Sequence, residues 1–265
     1  MDLKQFVNWD ENEKPLENIV TDGGYVGIFR TIACIGDSLS SGEFESTRED
    51  GKIGYHDYYD YSWGQYLARM AGCTVKNFSM GGMTAKCYCE AFGPWNGYMD
   101  KERKGHAQAY IIALGVNDIL NCKMELGTTA DICREDCTKN KDTFAGYYGR
   151  IVQQALNMEP RAKFFFVTIP DHGGGGEREK LADGHAALMH DMAAFFPSAY
   201  VLDIRKYGPV YDEAFRQKFF LGGHMNAAGY LLTARIIASY MDYVIRHNME
   251  DFAQVGFIGT RHERK

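Results

Sequence analysis

The sequence predicts a single α/β domain in which helices cover both faces of a doubly wound parallel sheet of five strands. Five short apolar runs are separated by segments whose apolar residues have helical spacing. Nearly continuous apolar strands that alternate with helices are typical of parallel sheets, because each crossover places a helix on one face. A chain of 265 residues with 45% hydrophobic content can build a core of that size.

Turn and capping residues bound the predicted strands and helices. The helix over 61–70 has its apolar side chains on one face and ends at Gly72, and a second helix covers Phe144–Met158. The last helix covers 226–246, with Asn226 as its N-cap. The five predicted strands are Thr31–Ile35, Thr74–Phe78, Ala109–Leu114, Lys163–Ile169 and Ala199–Ile204.

Three stretches lie outside a minimal sheet-and-helix unit, namely residues 1–30, 87–105 and 121–141. Long insertions at strand ends often build binding pockets. We therefore divide the chain into an N-terminal extension (1–30), a main domain (31–250) and a C-terminal tail (251–265).

Composition narrows the class of protein. A net charge of −6 and a pI near 5.8, without a basic stripe, argue against a nucleic-acid partner. The N-terminus lacks the apolar core of a signal peptide and no apolar run could span a membrane, which favours a cytoplasmic protein. An exported chain whose signal was removed would look the same. The seven cysteines lack the spacing of a zinc site and are expected to be free thiols.

Four residues typical of serine-hydrolase chemistry follow predicted strands or precede a helix. Ser38 lies in the Gly-Asp-Ser-Leu string at 36–39, directly after the first strand. A glycine, Gly81 or Gly82, follows the second strand, Asn117 follows the third, and His224 precedes the last helix. Ester hydrolysis by serine needs a hydroxyl, a general base and donors for the oxyanion, and these four residues can supply them. Asp37 is expected to brace the turn rather than react.

With these four blocks in order, residues 31–247 resemble the GDSL, or SGNH, hydrolase family. The resemblance implies a flavodoxin-like order of the five strands and an esterase that needs no metal or organic cofactor. It implies that Ser38 is the nucleophile and His224 the general base and acid. The backbone N–H groups of Ser38 and Gly82 and the side chain of Asn117 would form the oxyanion hole. The implied substrates are small acyl esters, with acetylated carbohydrate leading and lipids or thioesters behind.

One position departs from the family pattern. The family usually carries an aspartate three residues before the histidine, where it orients the imidazole, and this sequence has Leu221 there. Leucine cannot accept that hydrogen bond, so a main-chain carbonyl near Leu221 or a remote carboxylate must orient the ring. We favour the carbonyl, and we expect a slower enzyme or one that needs higher pH.

Other interpretations of these residues stay open. A non-catalytic module on the same fold, which would bind carbohydrate or phosphate, is the alternative function, and Leu221 is its best support. The glycine-rich stretch 171–177 lacks the pattern of a phosphate loop. Tyrosines between 55 and 61 could be core residues or a platform for sugars, and the sequence is compatible with an oligomer. Five other histidines are expected at the surface or lining a pocket, namely His56, His106, His172, His185 and His190.

Overall fold

The computed structural model describes residues 4–7, 9–97 and 105–262. In these residues the strands are β1 (Thr31–Gly36), β2 (Glu43–Thr47), β3 (Ile53–Asp57), β4 (Thr74–Asn77), β5 (Ala109–Ala113), β6 (Lys163–Val167), β7 (Ala199–Leu202), β8 (Phe220–Leu221) and β9 (His224–Met225). The α-helices are α1 (Lys4–Val7), α2 (Ser38–Ser41), α3 (Trp63–Ala71), α4 (Ala85–Cys87), α5 (Gly93–Asn96), α6 (Phe144–Met158), α7 (Glu177–Phe195), α8 (Ile204–Tyr207), α9 (Glu213–Phe219), α10 (Ala227–His247) and α11 (Met249–Phe252).

The central sheet has five parallel strands in the order β4-β1-β5-β6-β7. Counted along the sheet, this is the 2-1-3-4-5 order of flavodoxin-like folds. The five predicted strands are these five, and each boundary agrees within two residues. The predicted fold class is therefore confirmed. The chain reverses direction across the sheet beside β1, and in such folds ligands bind at the carboxyl ends of the strands near that point.

The three central strands, β1, β5 and β6, are buried on both faces, which explains their nearly continuous apolar sequences. On one face, Ile35 and Ile112 pack with Ile151 of α6. On the other face, Ile32 packs with Leu67 of α3 and with the apolar side of α10. Two hydrophobic layers therefore hold the sheet between the helices. The polar residues of the candidate site lie at the carboxyl edge of the sheet.

Side-chain caps begin the three helices that the sequence predicts. The Oδ1 atom of Asn226 accepts a hydrogen bond from the Gly229 amide at 2.9 Å, so the predicted N-cap is present. Thr143 caps α6 in the same way. Gly72 ends α3 with φ of 66°, a left-handed conformation that favours glycine.

A β-hairpin of β2 and β3 follows the Ser38 turn and was not predicted. Its strands pair antiparallel outside the main sheet, with Phe44 opposite His56 and Glu45 opposite Tyr55. Phe44 packs against the ring of Tyr230, at 5.4 Å between centroids. Alternate residues of β2 point to opposite faces, so Glu43 and Glu45 lie on the face away from Phe44.

The segments at both ends of the chain pack against the main domain. Val20 donates its amide to Ser239 of α10, and Arg30 donates to main-chain oxygens of Gly256 and Ile258. Parts of three predicted segments, residues 1–3 and 8, residues 98–104 and residues 263–265, lie outside the described residues. Among the described helices, none has the length and apolar character needed to cross a lipid bilayer. No disulfide joins any of the seven cysteines, all of which lie within the described residues.

Candidate active site

The Ser38 turn is built at the carboxyl end of β1. Asp37 is the N-cap of α2, and its carboxylate accepts a hydrogen bond from the Leu39 amide at 3.1 Å. Gly36 has no room for a side chain, because a Cβ there would contact Ser40 Oγ. Ser38 is the first residue of α2, half-buried, and its amide finds no acceptor in the described part of the chain. The turn presents a hydroxyl and a free N–H together at the edge of the sheet.

Two loops bring the second and third blocks together beside this turn. Gly82 has φ of 72°, and no atom lies within 4 Å of the position that a Cβ would take. Its exposed amide makes no hydrogen bond within residues 9–97 or 105–262. Asn117 follows β5 in a π-helical turn, and its Nδ2 donates to the Met83 carbonyl at 3.1 Å. One of the two amide protons of Asn117 is thereby used, and the other is available to a ligand.

His224 lies on β9, at the end of a two-residue turn between β8 and β9. Its Nδ1 is 2.6 Å from Oε1 of Glu45, within hydrogen-bond distance. Its Nε2 is 3.5 Å from Oε1 of Glu43. All three side chains are largely buried, with 16% of His224 exposed, 11% of Glu45 and 13% of Glu43. The hairpin β2–β3 therefore places two carboxylates on one imidazole.

A GDSL-like lipase/acylhydrolase family model matches residues 34–232, which include all four blocks. The chain belongs to this family. The search of curated proteins found no match. Structures of SGNH hydrolases and carbohydrate esterases are similar in fold, at identities of 17% or less for the three described next.

The first is a family two carbohydrate esterase from Clostridium thermocellum in complex with cellohexaose, with 16% identity and a TM-score of 0.55. The match covers 90% of this chain and 66% of that one. A Corynascus thermopiles family 2 carbohydrate esterase has 17% identity and a TM-score of 0.53, over 81% of this chain and 66% of that one. A candidate SGNH hydrolase from Slackia heliotrinireducens has 13% identity and a TM-score of 0.51, over 80% of this chain and 98% of that one.

The structure overturns one expectation for this family member. The main-chain carbonyl near Leu221 does not orient the imidazole, because Nδ1 contacts Glu45 instead. Leu221 and His224 are cross-strand partners in the β8–β9 turn, and the side chain of Leu221 is exposed. The partner of the imidazole is a remote carboxylate, that of Glu45, which was the less favoured of the two expectations.

Ser38 and His224 lie on neighbouring elements, and no hydrogen bond joins them in the described part of the chain. The strand β9 contacts both α2 and β2, so the strand of His224 lies next to the Ser38 turn. Ser38 Oγ has no hydrogen-bond partner among the described residues, and Nε2 faces Glu43. In enzymes without bound substrate such contacts are often long and tighten only when substrate binds.

The carboxyl groups around His224 differ in the direction of their pKa shifts: the pKa values of Glu43 and Asp37 are raised, and the pKa of Glu45 is lowered. Burial raises the pKa of Glu43, and Asp57 adds to that effect while His224 opposes it. Burial also raises the pKa of Asp37 to about 6, although the Leu39 amide and His224 lower it. The pKa of Glu45 is lowered despite burial, because the Gly223 amide, His224 and Arg216 stabilise its charge.

Sequence analysis missed Glu43 and Glu45. The residues that follow α2 and Gly42 read Glu-Phe-Glu-Ser-Thr. Their polarity alternates in the manner of a strand with one polar face. That pattern could have indicated a strand. It could not have indicated His224 as the partner, since 179 residues separate Glu45 from it.

His185 was expected at the surface or lining a pocket, and this prediction was wrong. It is fully buried on α7, with Nε2 3.1 Å from the Leu114 carbonyl. Burial lowers the pKa of His185 to about 4, so the ring is neutral near pH 7. It packs under Gly115, where a Cβ would lie 2.6 Å from its Nε2. His185 is therefore a core residue beneath the Asn117 loop.

Proposed function

We propose that this protein is a serine esterase that cleaves small acyl esters through an acyl-enzyme intermediate. The observation that carries the proposal is the position of His224, whose strand β9 packs against the Ser38 turn and whose Nδ1 is held by a carboxylate. Ser38 Oγ attacks the ester carbonyl while His224 takes its proton at Nε2. The imidazolium gives that proton to the leaving alcohol, and water activated by His224 then releases the acid.

Three donors are available for the oxyanion. The amides of Ser38 and Gly82 make no hydrogen bond in the described part of the chain, and Asn117 keeps one amide proton. Loss of one such donor typically costs about 2.7–4 kcal/mol of transition-state stabilisation. The hydrogen bond from Asn117 to the Met83 carbonyl supports this assignment, because it ties the two loops to one geometry.

We propose acetylated carbohydrate as the leading substrate. The ring of Tyr55 lies edge-on to His224, at 5.7 Å between centroids, and 58% of Tyr55 is exposed. Exposed aromatic rings beside a catalytic base can pack against a sugar. The carbohydrate esterases of similar fold are consistent with this choice. A mostly apolar cavity behind the turn, bounded by Leu39, Trp63 and Ile169, keeps a lipase or thioesterase as the second choice.

The test compares the wild type with Ser38→Ala. Both proteins are incubated with a fluorophosphonate probe and with a chromogenic acetate ester. We expect the wild type to be labelled and to hydrolyse the ester, and we expect Ser38→Ala to do neither, because the nucleophile is absent. A panel of acyl lengths and acetylated sugars, assayed with the wild type, then ranks the substrate classes.

The alternative is a non-catalytic module that binds carbohydrate at the same edge of the sheet. The observation in its favour is that Ser38 and His224 share no hydrogen bond in the described structure. If the wild type and Ser38→Ala are equally inert toward probe and ester, the esterase proposal is wrong. Binding of acetylated and unmodified oligosaccharides by both proteins, measured by calorimetry, would then support the module.

A further inference from the structure

The Glu45 carboxylate occupies the place on His224 that a serine hydrolase gives to its acid. Glu45 Oε1 lies 2.6 Å from Nδ1, and Nε2 is left on the other side of the ring. A base that works through Nε2 needs its other nitrogen protonated and fixed by an acceptor. Glu45 is that acceptor, and it reaches the ring from the β2–β3 hairpin rather than from the segment before the histidine.

The surroundings of Glu45 are shaped to hold a charged carboxylate. A Cβ on Gly222 would contact Oε2 of Glu45, and one on Gly223 would lie 2.7 Å from Oε1. Two successive glycines therefore leave the space that the carboxylate fills. The Gly223 amide and the Arg216 guanidinium stabilise its negative charge.

The hairpin fixes where Glu45 lies. Phe44, the next residue along the strand, packs against Tyr230 of α10 on the opposite face of β2. The hydroxyl of Tyr230 also donates to the main-chain oxygen of Glu43 at 2.5 Å. Because α10 begins directly after β9, the same helix positions the strand of the base and the strand of the acid.

We infer that Glu45 is the positioning acid of the active site, and that it replaces the aspartate absent at position 221. This inference rests on the proposed esterase function. Glu43 is the less suitable candidate, because it lies on the Nε2 side, where the proton of Ser38 must arrive.

The proton balance keeps Glu45 ionised throughout. The Oγ–H proton of Ser38 moves to Nε2 as the bond to the acyl carbon forms, and the ring becomes imidazolium. The Nδ1 proton stays on the ring and donates to Glu45, whose charge stabilises the imidazolium. When the ester bond breaks, the Nε2 proton leaves with the alcohol. Glu45 holds one tautomer and one ring orientation and is not itself protonated.

The test measures kcat/KM against pH for the wild type, Glu45→Gln, Glu45→Asp and Glu49→Gln. Glu49 is an exposed residue in the turn of the same hairpin and serves as the control. We expect Glu45→Gln to lower kcat by about 10²–10⁴-fold, because a neutral amide does not enforce the tautomer. Glu45→Asp, which keeps the charge, should recover part of that loss, and Glu49→Gln should match the wild type.

The pH profile separates positioning from general structural damage. The acidic limb of kcat/KM reports protonation of the free base, so removal of the Glu45 charge should move that limb to lower pH. The other charged groups around the ring, Glu43, Asp57, Asp37 and Arg216, are unchanged in this variant. A far-downfield imidazole N–H proton resonance should be present in the wild type and absent from Glu45→Gln.

Either of two results would overturn the inference without touching the esterase proposal. One is that Glu45→Gln keeps kcat/KM within about threefold of the wild-type value, and the acidic limb of its pH profile does not move, while Ser38→Ala stays inactive. The other is a downfield resonance that persists in Glu45→Gln. An inert wild type would instead refute the esterase function, and the resonance would still test the hydrogen bond.

Discussion

Asp118, the residue after Asn117, shows how one buried carboxyl connects two loops of the site. It is fully buried, and its Oδ1 accepts a hydrogen bond from the Ala85 amide at 2.7 Å. Its Oδ2 has no hydrogen-bond partner among the described residues. Burial raises the pKa of Asp118 to about 7, and the Ala85 amide only partly offsets that rise. A residue that holds the Gly82 loop to the Asn117 loop is thus also sensitive to pH.

Asp118→Asn should change how stability depends on pH. The folded-state pKa lies above the ordinary value of 3.8, so the stability that Asp118 contributes is present below about pH 4 and is lost as the pH rises through about 7. Asparagine keeps the acceptor for Ala85 and does not titrate. We expect the variant to gain stability relative to the wild type between pH 4 and 8, by an amount on the order of a few kcal/mol.

Urea denaturation at several pH values measures this difference. Asp37, with a raised pKa of about 6, adds a change of the same sign in both proteins, so the variant keeps part of the slope. Parallel curves of unfolding free energy against pH for the two proteins would contradict the prediction.

The β8–β9 turn is the element that determines how closely Glu45 approaches His224. Gly222 has φ of 65°, and a side chain there would displace the carboxylate. Gly72, at the end of α3, has nearly the same φ of 66° but nothing within 4 Å of its Cβ position. The two glycines share a backbone conformation and differ in what surrounds them.

Gly222→Ala and Gly72→Ala therefore form a matched pair. Each should lose about 1–2 kcal/mol of unfolding free energy, because alanine is strained in the left-handed region. Gly222→Ala should in addition lower kcat/KM by at least about tenfold, since Glu45 can no longer reach Nδ1. Thermal unfolding and the chromogenic ester assay measure the two effects, and equal activities of the two variants would argue against a tight fit at Gly222.

The elements also show what sequence patterns can and cannot predict. The central strands β1, β5 and β6 were predicted because burial on both faces leaves a nearly continuous apolar run that is visible locally. The turns of Ser38, Gly82, Asn117 and His224 follow directly from those strands and the last helix. Glu45 was missed because its role depends on one contact across the fold. His185 was misplaced because it lies on the buried face of α7 with Ala182 and Met189, and a histidine in an apolar helical face does not show its burial by residue type.

At the scale of the whole molecule, the N-terminal segment holds α10, the helix that follows His224. Arg246 of α10 donates to both carboxylate oxygens of Glu13, at 2.6 and 2.7 Å, and to Asp242 at 2.7 Å. These side chains are nearly fully buried. Burial opposes ionisation of Glu13, yet its hydrogen bonds to Arg246 and Asn18 hold its pKa below the ordinary value. The boundary at residue 30 stays a prediction, although residues before it contact α10.

Glu13→Gln should destabilise the whole fold and leave the active site intact. We expect a loss of about 2–3 kcal/mol, less than the 3–5 kcal/mol typical when a buried ion pair loses one partner, because Asp242 still faces Arg246. The stability that the low pKa of Glu13 provides is present above its ordinary pKa of 4.5 and is lost as the pH falls. Urea denaturation measures the loss, with exposed Glu11→Gln as the control, and a decrease in kcat at low temperature would count against a purely structural role.

The position of Glu45 in the chain affects the order in which a working site can form. The proposed nucleophile and the proposed acid lie within the segment 38–45, close to the start of the domain, and the proposed base, His224, follows 179 residues after Glu45. A chain that has folded only its first strands and the hairpin already carries Ser38 and Glu45, and in the proposed mechanism neither can act without the imidazole. Chemical competence in that mechanism arises only when β9 and α10 dock, so acquisition of the proposed esterase activity would report their docking.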